Sequence, residues 1–181
     1  MAATEGMSGQ QPSQERATRI AQNLRLMREL REVLTALGGA DIAALALKGA
    51  ALQGTVYAID ERAMLDVDVL VKPAQAAVAG AILERLGLRA MHTQGRPLGM
   101  RFAHSQGFGH GTGVQVDLHQ ALAPPLRWRI DTAALFERAL PCEFDGFVGR
   151  RLGNEDLLLH LALNLSKDEL AQSARCVEDI H

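Results

Sequence analysis

Two carboxylates stand two residues apart in an otherwise apolar segment that runs from Leu65 to Val71. Because successive side chains of a strand point to opposite faces, a strand here places Asp66 and Asp68 on the same face. Two like charges so close in a half-buried setting repel each other unless a cation lies between them. Carboxylate oxygens are the ligands that Mg²⁺ and Mn²⁺ prefer. The spacing indicates a metal site, although an Asp that ends a strand at solvent gives the same pattern.

A third carboxylate, Asp117, lies in a segment where Val114, Val116 and Leu118 alternate with polar residues. This period of two predicts a strand whose polar face carries Asp117 and His119. An adjacent antiparallel strand would bring Asp117 beside the other two acids. Three inward carboxylates in apolar strands are difficult to explain as structure, so we predict that all three hold the metal. His119 is predicted to touch substrate or the groups that surround the metal ligands.

A glycine follows the first predicted strand, in the segment Leu47-Lys48-Gly49-Ala50. Gly49 allows close backbone approach, and the start of a helix there would point free N–H groups at an anion. Lys48 can meet a phosphate as a point charge, and Arg62 precedes the acidic strand. The alternatives are a plain turn glycine, a surface lysine and a surface ion pair. These three residues are our candidates for phosphate binding.

The remaining pattern predicts a mixed α/β sheet with a helical C-terminal layer, an α+β fold class. Apolar residues at steps of three and four predict a helix from Ser13 that ends at Gly38 and Gly39. The segments with a strand or extended pattern are 42–47, 67–71, 88–92, 100–104, 114–119 and 143–152, the last as an edge strand. The predicted helices are 49–57, 73–86, 132–140 and two after Asn154, the second with a capping box at Ser166 and Glu169.

This pattern divides the chain into three parts: a disordered leader at 1–12, a domain at 13–152 that carries the candidate site, and C-terminal helices packed on that domain at 153–181. The glycine run from Gly107 to Gly113 is predicted to be a flexible hairpin loop, because its spacing fits no phosphate-binding motif. We expect Trp128, between Arg127 and Arg129, to anchor a loop to the core rather than to stack on a nucleotide.

Composition excludes several classes of protein. Hydrophobic residues make up 48% of the 181 residues and charged residues 22%, which excludes a wholly disordered chain. Nineteen Lys and Arg against 21 Asp and Glu give a net charge of -2, so no overall positive field attracts long DNA. No run approaches the roughly 18 apolar residues that a membrane span requires. The two cysteines match no zinc or redox spacing, and we expect a cytoplasmic protein.

Taken together, these motifs resemble the uncharacterised nucleotidyltransferase family of the DNA polymerase β-type superfamily. The resemblance rests on Leu47-Lys48-Gly49-Ala50-Ala51-Leu52, on Tyr57 and Arg62, on Asp66-Val67-Asp68-Val69-Leu70-Val71, on Val116-Asp117-Leu118-His119 and on Glu155-Asp156-Leu157-Leu158-Leu159-His160. It implies a nucleotidyltransferase fold in which Gly49 binds triphosphate. It also implies that Asp66, Asp68 and Asp117 hold two Mg²⁺ ions.

The activity implied is transfer of a nucleoside monophosphate from an NTP to an unidentified acceptor, a small molecule, a protein or RNA, with release of pyrophosphate. In two-metal chemistry Asp66 and Asp68 bridge both ions, and Asp117 completes the site at the acceptor hydroxyl. Ala50 stands where the superfamily usually has serine. One alternative is therefore an inactive nucleotide-binding or partner-binding module of the same fold. Another is a metal-dependent phosphatase that uses Asp66 as nucleophile and needs no third acid.

Overall fold

A seven-stranded mixed sheet forms the centre of the protein in a computed structural model, which describes residues 10–53, 55–91, 104–111, 113–124 and 127–167. The strands are β1 (Ala44–Ala46), β2 (Val67–Val71), β3 (Arg89–Ala90), β4 (Ser105–Gly109), β5 (Gln115–His119), β6 (Leu140–Phe144) and β7 (Phe147–Arg151). Their spatial order is β3-β4-β5-β2-β1-β7-β6. The β2–β5 and β1–β7 pairs are parallel, and the other four pairs are antiparallel.

Five α-helices accompany the sheet in the described part of the chain. They are α1 (Gln10–Gly38), α2 (Lys48–Leu52), α3 (Ala76–Arg85), α4 (Thr132–Glu137) and α5 (Asn154–Lys167). A 3-10 turn at Pro73–Gln75 precedes α3, because proline suits the first position of a helix. Asp131 caps α4 by accepting hydrogen bonds from the backbone N–H groups of Ala133 and Ala134.

The two faces of the sheet bury different clusters of apolar residues. Alternate residues of β2, namely Val67, Val69 and Val71, pack with α1 and α3 in the larger cluster. Leu70 faces the other way and packs with residues of β1, α4 and α5. Asp68 shares the face of Leu70 because side chains alternate along a strand. We call the face that carries Asp68 and Leu70 the site face.

Most of the predicted elements are present, and the predicted mixed α/β fold class is confirmed. The helix that ends at Gly38 begins at Gln10, so positions 10–12 of the predicted leader belong to α1 and Ser13 is not its cap. The predicted strand 42–47 is shorter, at Ala44–Ala46, and the predicted helix 49–57 is α2. Helix α4 likewise ends at Glu137 instead of residue 140.

Three predictions about the second half of the chain were wrong. Gly107 and Gly109 belong to β4 and not to a flexible loop. The predicted single edge strand 143–152 is the hairpin of β6 and β7, and β7 lies inside the sheet beside β1. Trp128 does not anchor its loop in the core, because its exposed fraction is 46%. The predicted extended segment 100–104 falls almost wholly outside the described residues, as do the leader at 1–9 and the last predicted helix.

Within the described ranges, no helix is both long enough and apolar enough to cross a membrane.

Candidate active site

Asp68 and Asp117 lie side by side at the centre of the site face. Strands β2 and β5 are neighbours, and their register pairs Asp68 directly with Asp117. The strands run parallel, so the predicted antiparallel arrangement was wrong. The strand that carries Asp117 is nevertheless the neighbour of β2, as predicted. Asp68 is 2% exposed, whereas Asp117 is partly exposed and accepts a hydrogen bond of 2.9 Å from Gln115 Nε2. Two carboxylates are thus held together at one point of an apolar sheet.

Asp66 precedes β2 by one residue and remains partly exposed. Burial raises the pKa of Asp66 to about 6, and the negative charges of Asp68 and Asp117 act in the same direction. Lys48 and His119 oppose this shift. Charged groups contribute to a pKa shift in this way only when they lie near the carboxyl group. The three acids predicted from the sequence therefore belong to one electrostatic cluster.

Two side chains from separate elements contact the same oxygen of Asp68. Lys48 Nζ donates a hydrogen bond of 2.5 Å to Asp68 Oδ1. The Nε2 atom of His119, at the end of β5, lies 2.8 Å from that oxygen. Lys48 begins α2 with a backbone φ of 43°, in the left-handed region that non-glycine residues rarely adopt. Such a conformation costs energy and persists only where the surrounding structure holds it, as the contact of Lys48 with Asp68 does here.

These contacts explain the charge state of the buried acid. Burial alone would raise the pKa of Asp68, but the hydrogen bond with His119 and the charge of Lys48 outweigh it and lower the pKa to about 2. Burial likewise disfavours the ammonium of Lys48, and the charge of Asp68 reverses that effect so that its pKa is raised. Asp68 is consequently an anion and Lys48 a cation over the whole neutral range.

Gly49 lies directly under the guanidinium group of Arg62. A Cβ atom built on Gly49 would stand 2.6 Å from Arg62 Nη1 and 3.5 Å from Met64 Cγ. A larger residue would push this flexible guanidinium aside, so Gly49 lets Arg62 lie close to the backbone of α2. The structure thus brings Lys48, Gly49 and Arg62 to the side of the site formed by β1 and α2. Gly49 is itself buried beside Ala50, which is 1% exposed.

Gly107 provides space on the opposite side of the site. It is paired with Asp117 across β4 and β5, and an added Cβ would lie 3.3 Å from Asp117 Oδ1. The half-exposed side chain of Met91 covers the same glycine, with its Sδ atom 3.7 Å from that Cβ position. Glycine weakens a strand and often marks a place where another group approaches the backbone closely. Here the group that approaches is the carboxylate of Asp117.

Sequence reasoning missed His160, which is fully buried in α5. Its ring lies edge-on to the ring of His119, with centroids 6.4 Å apart. His104 flanks the same ring at 5.8 Å. The helical spacing of His160 with Leu157 and Leu161 was the signal available, because it places the histidine on the buried face of α5.

The donor atoms of this cluster fit a divalent cation. Ligand atoms of Asp68, Asp117 and His119 lie within 4.8 Å of one another. Asp66 is close enough for the charges of Asp68 and Asp117 to raise its pKa, but its carboxylate is not among the ligand atoms that lie within this distance. Carboxylates with or without one imidazole suit ions from Mg²⁺ to the first-row transition metals. The phosphatase alternative expected no third acid from a neighbouring strand, and Asp117 of β5 supplies one.

The comparison with protein families agrees with this geometry. A family model described as uncharacterised nucleotidyltransferase matches residues 11–181. The chain belongs to this nucleotidyltransferase family. The resemblance deduced from the sequence motifs is thereby confirmed. No curated protein matches the chain.

Solved structures similar to this nucleotidyltransferase share its fold at low identity. The antibiotic-resistance factor ANT(2'')-Ia has a TM-score of 0.62 and 13% identity over 87% of this chain and 82% of its own. The lincosamide antibiotic adenylyltransferase LnuA has a TM-score of 0.58 and 14% identity over 84% and 92%. A putative nucleotidyltransferase from Thermotoga maritima has a TM-score of 0.52 and 15% identity over 80% and 86%.

Proposed function

We propose that this chain transfers a nucleoside monophosphate from an NTP, with ATP the first donor to test, to an acceptor hydroxyl and releases pyrophosphate. The observation that carries the proposal is the pairing of Asp68 with Asp117 across β2 and β5, with Asp66 and Lys48 beside them. Membership in a nucleotidyltransferase family supports the same reaction class. A cytoplasmic location, where NTPs are abundant, is part of the proposal.

The metal-binding role falls to the three acids. Asp68 is held as an anion by Lys48 and His119, and Asp66 and Asp117 flank it. These carboxylates would hold the divalent ions, two Mg²⁺ in the proposed reaction, whose positive charge would neutralise the phosphates and lower the pKa of the acceptor hydroxyl. Asp117 lies on the partly exposed side of the cluster, where it accepts the proton of that hydroxyl.

The bond changes follow from this placement. The acceptor oxygen forms a bond with the α-phosphorus, and the bond between the α-phosphorus and the bridging oxygen of pyrophosphate breaks. Arg62 and Lys48 are cations on the β1 and α2 side, so they receive the triphosphate beside Gly49. The acceptor enters from the β4 side, where Gly107 leaves room beside Asp117. Donor and acceptor thus approach from opposite sides of the acids.

The similar structures suggest acceptors to test first. One of them is a complex of ANT(2'')-Ia with adenylyl-2''-tobramycin, and LnuA was solved with lincomycin bound. Both antibiotics carry hydroxyl groups on sugar rings. We propose tobramycin and lincomycin as first probes of the acceptor side, with a cell extract as a broader source of small molecules, proteins and RNA.

The test is an incubation of the purified protein with Mg²⁺ and each of the four NTPs labelled at the α-phosphate. With the correct acceptor present, we expect labelled acceptor and pyrophosphate in equal amounts, and neither product when EDTA is added. A thermal-shift titration with each Mg²⁺-NTP checks donor binding independently, because a ligand of the native state raises the melting temperature.

Two results would contradict the proposal. Tight binding of Mg²⁺-NTP without turnover on any acceptor would favour an inactive nucleotide-binding module, the reading that Ala50 supports by removing a hydroxyl beside Gly49. Absence of both binding and turnover would exclude a nucleotide function.

Gly107→Ala is expected to slow transfer about tenfold, because small displacements of a catalytic group are costly. The added Cβ would stand 3.3 Å from Asp117 Oδ1, so the carboxylate must shift by a few tenths of an ångström. Gly111→Ala is the matched control, since a Cβ there meets nothing within 4 Å. Initial rates and melting temperatures of both variants provide the measurement. Equal rates for the two would show that Asp117 does not need this space.

A further inference from the structure

His119 has the position of a metal ligand as well as that of a neighbour of Asp68. Its Nε2 atom lies 2.8 Å from Asp68 Oδ1, and its ligand atom is within 4.8 Å of those of Asp68 and Asp117. We propose that His119 supplies a nitrogen ligand to one divalent ion, held together with Asp68 and Asp117, and that this position prefers a first-row transition ion such as Mn²⁺ to Mg²⁺. The inference deepens the proposed function, whose metal it concerns.

The burial of His119 supports this assignment. Its side chain is 3% exposed, and its Nδ1 atom has no hydrogen-bond partner among the described residues. The lack of a partner at Nδ1, which is uncommon for a buried polar atom, leaves the ring without a hydrogen bond on the side away from Asp68. The only hydrogen bond found for the ring in the described part of the chain is the one to Asp68. No second bond therefore holds the ring away from an ion at the carboxylates.

The surroundings of His119 fix its ring in place. His104 and His160 contact it at centroid distances of 5.8 Å and 6.4 Å, in tilted and edge-on arrangements. Leu70 pairs with His119 across β2 and β5, so the ring lies beside an apolar side chain on the site face. A ligand held in this way loses little conformational freedom when it binds an ion.

Ligand chemistry then decides the preferred metal. Mg²⁺ takes oxygen ligands almost exclusively, whereas imidazole nitrogen suits the first-row transition ions. Two carboxylates and one imidazole are consequently a mixed set that favours Mn²⁺ over Mg²⁺. A second ion, which Asp66 and the phosphates of an NTP would hold in the proposed reaction, would have oxygen ligands only and would stay suited to Mg²⁺.

Pulsed electron paramagnetic resonance of the Mn²⁺-loaded protein tests the nitrogen ligand directly. We expect a ¹⁴N coupling in the wild type that changes to a ¹⁵N coupling when the protein is made with ¹⁵N-histidine. His119→Gln should abolish this coupling and lower the ratio of Mn²⁺ to Mg²⁺ affinity at least about tenfold, since an oxygen ligand replaces nitrogen. A purely structural role of His119 would leave no nitrogen coupling in the wild type.

The control is His110→Gln, which removes a histidine outside the site. His110 Nε2 lies 3.3 Å from Glu29, a residue of α1 on the other face of the sheet. This variant must keep both the ¹⁴N coupling and the affinity ratio. A His119→Gln protein that still shows the coupling, a wild type that binds Mn²⁺ without it, or a wild type that does not bind Mn²⁺ would each overturn the inference.

The same experiment separates this inference from the proposed function, because it needs no acceptor and no turnover. A nitrogen coupling in a protein that transfers no nucleotide would support His119 as a metal ligand and refute the proposed transfer reaction. Transfer by a protein whose bound Mn²⁺ shows no nitrogen coupling would support the reaction and refute the ligand.

Discussion

Asp68→Asn is expected to lower the rate of nucleotidyl transfer by at least about a thousandfold. When catalytic residues act together, the loss of one of them removes most of the rate enhancement that they provide as a set. Asp68 is the most buried of the three acids and the one that Lys48 and His119 both contact. An asparagine has nearly the same shape but brings no charge to a metal. Initial rates with labelled NTP and the acceptor identified for the wild type provide the measurement.

Two variants make this result specific. Asp60→Asn removes a carboxylate that is ion-paired with Arg16 on the surface, and its rate should match the wild type. Asp117→Asn is a second test in a variant that is less prone to misfold. Asp117 is partly exposed, has Gln115 as its hydrogen-bond partner and lacks the contacts that stabilise Asp68. This variant too should lose most activity while its melting temperature stays near that of the wild type. An Asp68→Asn protein that is folded and keeps a tenth of the wild-type rate would refute the assigned role.

Leu30→Ala is expected to lower the free energy of unfolding by about 2–5 kcal/mol, the usual effect of a leucine truncation in a packed core. Leu30 is 0% exposed and belongs to the cluster that joins α1 to the sheet on the face opposite the acids. In a chain of this length the loss corresponds to a melting temperature lower by roughly 5–15 °C. Differential scanning calorimetry measures it.

Leu24→Ala is the matched control for that prediction. It makes the same substitution in the same helix, but Leu24 is 43% exposed and loses few contacts. Its effect should stay below about 1 kcal/mol. Similar melting temperatures for the two variants would mean that α1 does not pack on the sheet through Leu30.

Local patterns predicted much of the site. Apolar alternation around Asp68 and Asp117 placed both acids in strands and on polar positions, because a period of two follows from strand geometry alone. The glycine after the first strand was likewise placed correctly at the start of a helix. These features depend on neighbouring residues in the chain, and a single sequence contains that information.

Other features depend on segments far apart in the sequence. The glycine run was expected to be a loop, because glycine is common in loops, yet Gly107 lies in β4, where an added Cβ would stand 3.3 Å from Asp117 Oδ1. The hairpin of β6 and β7 was missed because β7 is recruited into the sheet by pairing with β1, more than a hundred residues earlier in the chain. Local propensity does not encode such pairings.

The sequence by itself indicated which residue types stand at the candidate site: three acids, a lysine, a glycine and a histidine. Asp68, Asp117 and His119 lie in the predicted strands, whereas Asp66 precedes β2 by one residue. Only the tertiary structure decided that β2 and β5 are parallel neighbours in a register that pairs Asp68 with Asp117. It alone placed His119 and Lys48 on one oxygen of Asp68 and His160 against the ring of His119. The physical reason is that these contacts join strands and helices distant in the chain, and their geometry is set by the packing of both faces of the sheet.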